Sequence, residues 1–215
     1  MKLLRELTED VKYLEEATAD GKKNLYIEGI FLQSEIENRN HRVYPKHLLQ
    51  REVARYVKES VNTGRGWGEL GHPDTPSINL DRVSHRIISL KEDGNNFIGK
   101  AIITEEGHGK IVRGLINCGG QLGVSSRGLG SLKAIKEAQM VQDDFFLATA
   151  GDIVADPSAP DALVQSIMES KEWVWDNGII KEANIAEIQT NVMKASRKEL
   201  EEVVLQSFEK FLKLL

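Results

Sequence analysis

The sequence predicts an α+β protein dominated by strands, and three observations carry that expectation. Strand-forming runs recur at Asn24 to Gln33, Val83 to Leu90, Phe97 to Thr104 and Met140 to Val154. These runs do not alternate regularly with helical stretches, which excludes a doubly wound parallel sheet. Glycine is dense where regular structure should break, at Gly64, Gly66, Gly68 and Gly71 and again from Gly123 to Gly130.

Taken in order, residues 1–20 place Leu3, Leu4, Leu7, Val11 and Leu14 at helical spacing, so the spacing predicts an amphipathic helix that must dock to be stable. The apolar LYIEGIFLQ predicts a buried strand, closed by a turn at Glu37-Asn38-Arg39-Asn40. Pro45 suits the start of a helix with Leu49, Val53, Tyr56 and Val57 on one face. The glycines around Trp67 then deliver GELGHP at residues 68–73. The next two strand runs form a hairpin through Glu92-Asp93-Gly94-Asn95. Ile111, Val112, Leu115 and Ile116 mark a short helix ending at Gly119-Gly120. Met140 to Val154 supplies one or two strands, closed by the turn DPSAPDA.

These elements make a domain of residues 24–165, preceded by a helical segment (1–23) and followed by a charged, helical one (166–215). Within the latter, 176–183 reads as a linker. Ser196 and Glu199 then have the spacing of a capping box ahead of an apolar stripe from Leu200 to Leu215.

Bulk composition narrows the chemistry. With 215 residues and a net charge of −5, the chain has no basic stripe for a nucleic-acid backbone. The single cysteine, Cys118, allows no intrachain disulfide and no Cys-x-x-Cys zinc site. Five histidines show no His-Glu-x-x-His spacing, so neither metal nor cofactor is expected. No apolar run reaches the ~18 residues of a membrane span, which points to a cytoplasmic protein.

The decapeptide GVSSRGLGSL, Gly123 to Leu132, is where chemistry concentrates. It sets two hydroxyls, Ser125 and Ser126, and the cation Arg127 among glycines that let backbone approach a substrate. A serine nucleophile is the functional reading, and a polar turn between strands is the structural one. The pattern does not separate Ser125 from Ser126, because adjacent strand residues face opposite ways.

A serine needs a base, and imidazole titrates in the right range. His41, His47 and His108 sit in charged, solvent-like contexts, and His85 lies in a strand. His72 differs, presented by a glycine-flanked loop and followed by Pro73. An orienting carboxylate could come from Glu69, Asp74, Asp152 or Asp156. Asp152 stands out because it interrupts the small and apolar FLATAGDIV.

Five blocks in one order, LYIEGIF, NRNHRVYPK, GELGHP, GVSSRGLGSL and PSAPDA, resemble the prohead core protein proteases of T-even-like tailed phages over about residues 24–162. The resemblance implies a serine protease of the prohead interior, assembled in the host cytoplasm, with a β-barrel core wrapped by helices as in herpesvirus assemblins. It places the catalytic histidine at His72, the nucleophile at Ser125 and the third member at Asp152, where assemblins use a second histidine. Ser126 and Arg127 would border the oxyanion or substrate site, Arg127 through its backbone N–H or a held water.

The implied substrates are scaffold proteins, capsid shell proteins and the enzyme itself, and a homo-oligomer is compatible with the resemblance. Cleavage is implied after a glutamate that follows leucine or isoleucine by a few residues. Glu16 and Glu187 fit that pattern, so the chain reads as a zymogen trimmed at both ends. If the His72 pKa is near its free value, activity should fall around pH 6 to 7.

Two other classes compete with this reading. A non-enzymatic capsid scaffold component would use the glycine-rich stretch only as an assembly surface. An α/β-hydrolase esterase wants Gly-x-Ser-x-Gly, but here the following glycine comes one position late for Ser125, and the aspartate follows the histidine in the chain.

Overall fold

The computed structural model describes residues 1–8, 11–17, 23–135, 138–155, 172–176 and 179–183. A compact unit spans Leu4–Pro160, and strands dominate it, as the sequence predicts. Its largest sheet has five antiparallel strands: β2 (Val11–Ala17), β3 (Lys23–Gln33), β7 (Asn96–Ile103), β6 (Val83–Asp93) and β5 (Trp67–Glu69), in that spatial order. A three-stranded sheet runs β1 (Lys2–Thr8), β8 (Gly123–Gly130), β11 (Phe146–Val154). A smaller one orders β4 (Arg42–Val43), β10 (Ala138–Val141) and β9 (Leu132–Ile135). Among the described residues no sheet closes on itself.

Alternation explains the large sheet. Leu25 and Ile27 of β3 and Phe97, Ala101 and Ile103 of β7 lie on the buried face, with less buried residues on the face opposite, and Ile87 and Leu90 of β6 join them across a register shift. The predicted hairpin forms between β6 and β7, with Gly94 at φ +62° in its turn.

Helix α1 (Lys46–Tyr56) begins after Pro45 and buries Leu48, Leu49, Val53 and Tyr56, continuing as one π turn through Val61. It is pinned to β11 by polar contacts. Glu52, buried on the helix, accepts from the Leu147 N–H at 3.0 Å, and Arg55 donates to the Leu147 carbonyl at 2.7 Å while lying 4.0 Å over the Phe146 ring. Helix α2 (His108–Asn117) ends as expected, with Gly119 at φ +85° and the Gly120 N–H on the Leu115 carbonyl.

Three expectations need correction. Residues 2–8 and 11–17 are strands, not a helix, and the compact unit begins at Leu4 rather than at residue 24. Leu, Lys and Glu favour helix locally, but pairing of β1 with β8 and of β2 with β3 overrides that preference.

The stretch read as a helical tail with a linker at 176–183 contains instead an antiparallel hairpin, β12 (Glu172–Asp176) and β13 (Ile179–Ala183). Third, GVSSRGLG is neither loop nor turn but strand β8, all eight of its residues buried. The expected helix after Ser196 and the PSAPDA turn lie outside the described residues.

Candidate active site

Three segments meet at the site. Strands β8 and β11 pair antiparallel with Ser125 opposite Asp152 and Arg127 opposite Thr149; a bulge in β11 lies between those two pairs. Cross-strand partners project to one face of a sheet, and residues two apart on a strand share that face. Ser125, Arg127 and Asp152 therefore share a face, and Ser126 projects to the other, the side of Val124.

The third segment is GELGHP. Beyond β5, Leu70 bridges to Ile153 of β11, and the Gly71 N–H bonds the Ile153 carbonyl at 2.7 Å. This stitch fixes His72 one residue past the anchor, with its Nδ1 3.9 Å from Asp152 Oδ2. His72 and Ser125 are thus both tied to Asp152, one through a loop and one through the sheet. Two of their atoms, His72 Nδ1 and Ser125 Oγ, are buried with no hydrogen-bond partner among the described residues. Buried polar atoms are nearly always bonded, so two orphans flanking one carboxylate need an explanation.

Asp152 is completely buried and held from two sides. It accepts from Arg127 Nε at 2.5 Å and Nη2 at 3.1 Å, a bidentate fork, and from the Glu69 N–H at 2.9 Å. Burial nevertheless pushes its pKa up to about 6, against the pull of Arg127. His72 moves the other way, down to about 3, first through burial and then through the positive charges of Arg5 and Arg127. Asp152, 3.9 Å away and paired with Arg127, does not offset these effects in the resting site.

This corrects two expectations. The His72 pKa is far from its free value. The five N–H donors of the Arg127 guanidinium all have partners, which leaves none for a held water: Nε donates to Asp152, Nη1 to the Thr75 and Ser77 carbonyls at 2.5 and 3.4 Å, and Nη2 to Asp152 and to Glu69 Oε1, the latter at 3.1 Å.

Glu69, weighed as the third member, is fully buried but faces Arg127, Arg82 and the Asn79 N–H. Asp74 is exposed and lies 3.9 Å from Arg5. Asp156 and Glu187 lie outside the described residues. Glu16 sits on edge strand β2, its carboxylate 2.5 Å from Lys100 Nζ. No motif marks Arg5, which reaches the site from 67 positions before His72. Glu69 was visible within GELGHP, although not its grip on Arg127.

His85 is a structural neighbour. It is wholly buried, with Nε2 2.9 Å from the Gly151 carbonyl and Nδ1 2.9 Å from Ser84 Oγ. A carbonyl only accepts, so Nε2 carries the proton and Nδ1 receives the serine hydroxyl. Gly68 must be glycine, because a Cβ there would overlap the His85 ring and the Gly151 carbonyl.

Burial lowers the His85 pKa to about 4. The unfolded chain therefore binds a proton between pH 6.5 and 4 that the native state refuses, so His85 stabilises the fold above that window and the contribution is lost as pH falls through it. Replacing His85→Gln should shrink the stability difference between pH 7 and pH 4 by about 3 kcal/mol, measured by urea unfolding. Asp152 contributes with the opposite sign in both proteins and cancels in the comparison.

The family model described as prohead core protein serine protease matches residues 5–172. The chain belongs to that family. It is 44% identical over 158 residues to the prohead core protein protease of Enterobacteria phage T4, covering 70% of this chain and 73% of the relative. It also resembles the solved structure of the bacteriophage T4 capsid assembly protease, with a TM-score of 0.70, 35% identity, and coverage of 73% of this chain and 98% of the other. As a member of that family, the chain is a prohead protease. Among the described residues no group of histidine, cysteine and carboxylate side chains could hold a metal ion, and no helix is long and apolar enough to cross a membrane.

Proposed function

We propose that this prohead protease is a serine endopeptidase in which Ser125 attacks the scissile carbonyl. His72 takes the serine proton and returns it to the leaving amine, and Asp152 orients His72. The observation that carries this reading is the pair of orphaned atoms, Ser125 Oγ and His72 Nδ1, flanking the one carboxylate. A buried hydroxyl and a buried imidazole nitrogen left unbonded are costly unless they serve a reaction. Arg127 acts by fixing Asp152, and the oxyanion falls to backbone N–H groups around Ser125 and Ser126. The bridge from Leu70 to Ile153 supports a barrel-like core of the assemblin kind, because it ties the five-stranded sheet to β11.

The substrates proposed are scaffold and shell proteins inside the prohead, cut after glutamate, and the chain itself. Self-cleavage at Glu16 is supported by its place on a sheet edge, where a strand can peel away; Glu187 is the corresponding position toward the other end. A scaffold role without catalysis would give the orphaned pair no purpose.

A phosphonate ester carrying a glutamate side chain tests the assignment. It should form a single adduct on Ser125, found by peptide mass spectrometry, and His72→Ala should abolish labelling. An adduct on Ser126, or processing that continues in a chain the reagent never labels, would overturn it.

The pH profile of kcat/KM is a second test. His72 is already neutral well below pH 6, so the acid limb should fall near pH 6, where Asp152 takes a proton and ceases to support a charged imidazole. Asp152→Asn should remove that limb along with most of the rate.

A further inference from the structure

The NRNHRVYPK block takes no part in the catalytic assignment, yet it builds a polar site of its own. Glu6 of β1 points into it. Its Oε2 accepts from Asn38 Nδ2 at 2.6 Å and Asn40 Nδ2 at 2.8 Å; its Oε1 accepts from the Tyr44 hydroxyl at 2.7 Å and Arg42 Nη1 at 3.1 Å. Four donors on one carboxylate, with a single cation among them, amount to charge-assisted recognition of that group.

The same residues read the strand's backbone, because Asn40 Nδ2 also donates to the Arg5 carbonyl at 3.0 Å. The cradle is preorganised by Asn38, whose Oδ1 receives the N–H groups of Asn40 and Arg42 at 2.9 and 3.0 Å. It is also unsaturated. Arg42 Nε is buried without an acceptor among the described residues, so Glu6 uses less than the site offers.

The occupant lies in a telling place. β1 is the outer strand of its sheet, bonded to β8, the strand that carries Ser125. Alternation puts Arg5 on the face opposite Glu6. There it sits 3.9 Å from Asp74 and near enough to His72 to disfavour its charge. An extended segment in this position is thus gripped through its glutamate on one face and borders the His72 loop with the other. Only residues 9–10 join it to β2, which belongs to a different sheet.

We infer that Asn38, Asn40, Arg42 and Tyr44 form a recognition site for the glutamate side chain of an extended peptide, and that β1 is its displaceable intramolecular occupant. Strand addition at the β8 edge supplies backbone bonds, and the cradle supplies specificity. The bearing of this site on substrate choice rests on the peptidase reading above, whereas the binding itself does not. Cutting after Glu16 would release β1 from the rest of the chain and make the edge available.

The test uses the full chain carrying Ser125→Ala, so that nothing is cleaved. A recognition sequence for a site-specific protease is inserted at residues 9–10, a fluorophore is placed at the N-terminus, and the protein is nicked. The nicked protein should keep its β1 strand and its fold by circular dichroism. Excess peptide KLLRELT should then displace the labelled strand, read as a fall in anisotropy. The peptide with glutamine in place of its glutamate should compete at least tenfold more weakly, and Arg42→Ala should erase that difference.

Unfolding on nicking would show β1 to be an integral strand. A strand that resists excess peptide, or equal competition by the two peptides, would likewise overturn the inference. Because the readout is binding, its failure leaves Ser125 labelling unaffected, and failure of the labelling leaves this result standing.

Discussion

Ser125→Ala should reduce cleavage of prohead proteins by about four to six orders of magnitude while leaving the fold intact or slightly more stable. The two halves of that outcome come from one fact. Ser125 Oγ is buried and bonds nothing among the described residues, so removing it breaks no structural contact and relieves an unsatisfied polar atom. A serine kept for structure would show the reverse, a loss of stability with activity to match. His72→Ala should cost a similar factor, and the double variant little more than either single one, because nucleophile and base act as a unit. Asp152→Asn should cost less in rate. Processing assays on assembled particles, read beside urea unfolding, check each value. Normal maturation with Ser125→Ala would remove the catalytic assignment altogether.

The second large effect belongs to Arg127. Its guanidinium is fully buried between Asp152 and Glu69, with salt-bridge contacts at 2.5 and 3.1 Å. Arg127→Met leaves Asp152 without its buried cation and Glu69 with the partly exposed Arg82, which should destabilise the protein by about 3–5 kcal/mol at neutral pH. Lysine cannot reproduce the fork to Asp152, so Arg127→Lys should fall between the two in stability and still lose most activity.

The pH dependence has a definite sign. Burial already holds the Asp152 pKa above its unfolded value, and without the opposing pull of Arg127 it rises further, so the native variant binds that proton more readily than the unfolded chain. The defect should therefore be largest at pH 7 and above and should shrink as pH falls toward 4. An unfolding midpoint equal to that of the parent protein would show that the cluster contributes nothing.

Much of the central fold was legible. Alternation in β6 and β7, the turn residues at Gly94-Asn95, Pro45 ahead of α1 and Gly119 after α2 each state a local preference that tertiary structure then uses. The N-terminal segment was not legible, because KLLRELT and VKYLEEA suit a helix in isolation and become strands only where β8 and β3 offer backbone partners. The same limit hid the state of Asp152. A carboxylate interrupting FLATAGDIV announces an unusual environment, but not the neutralising arginine two positions past Ser125 on the paired strand.

The order of residues alone states the chemistry available: a hydroxyl pair among glycines, one loop imidazole, an aspartate out of place, and a sheet-rich frame to hold them. It could not say which serine faces the aspartate, since that depends on the register of β8 against β11. Nor could it set the charge state of His72, which follows from burial and from Arg5 and Arg127 arriving from distant strands. Register and desolvation are properties of packed neighbours, and only the tertiary structure decides which neighbours those are.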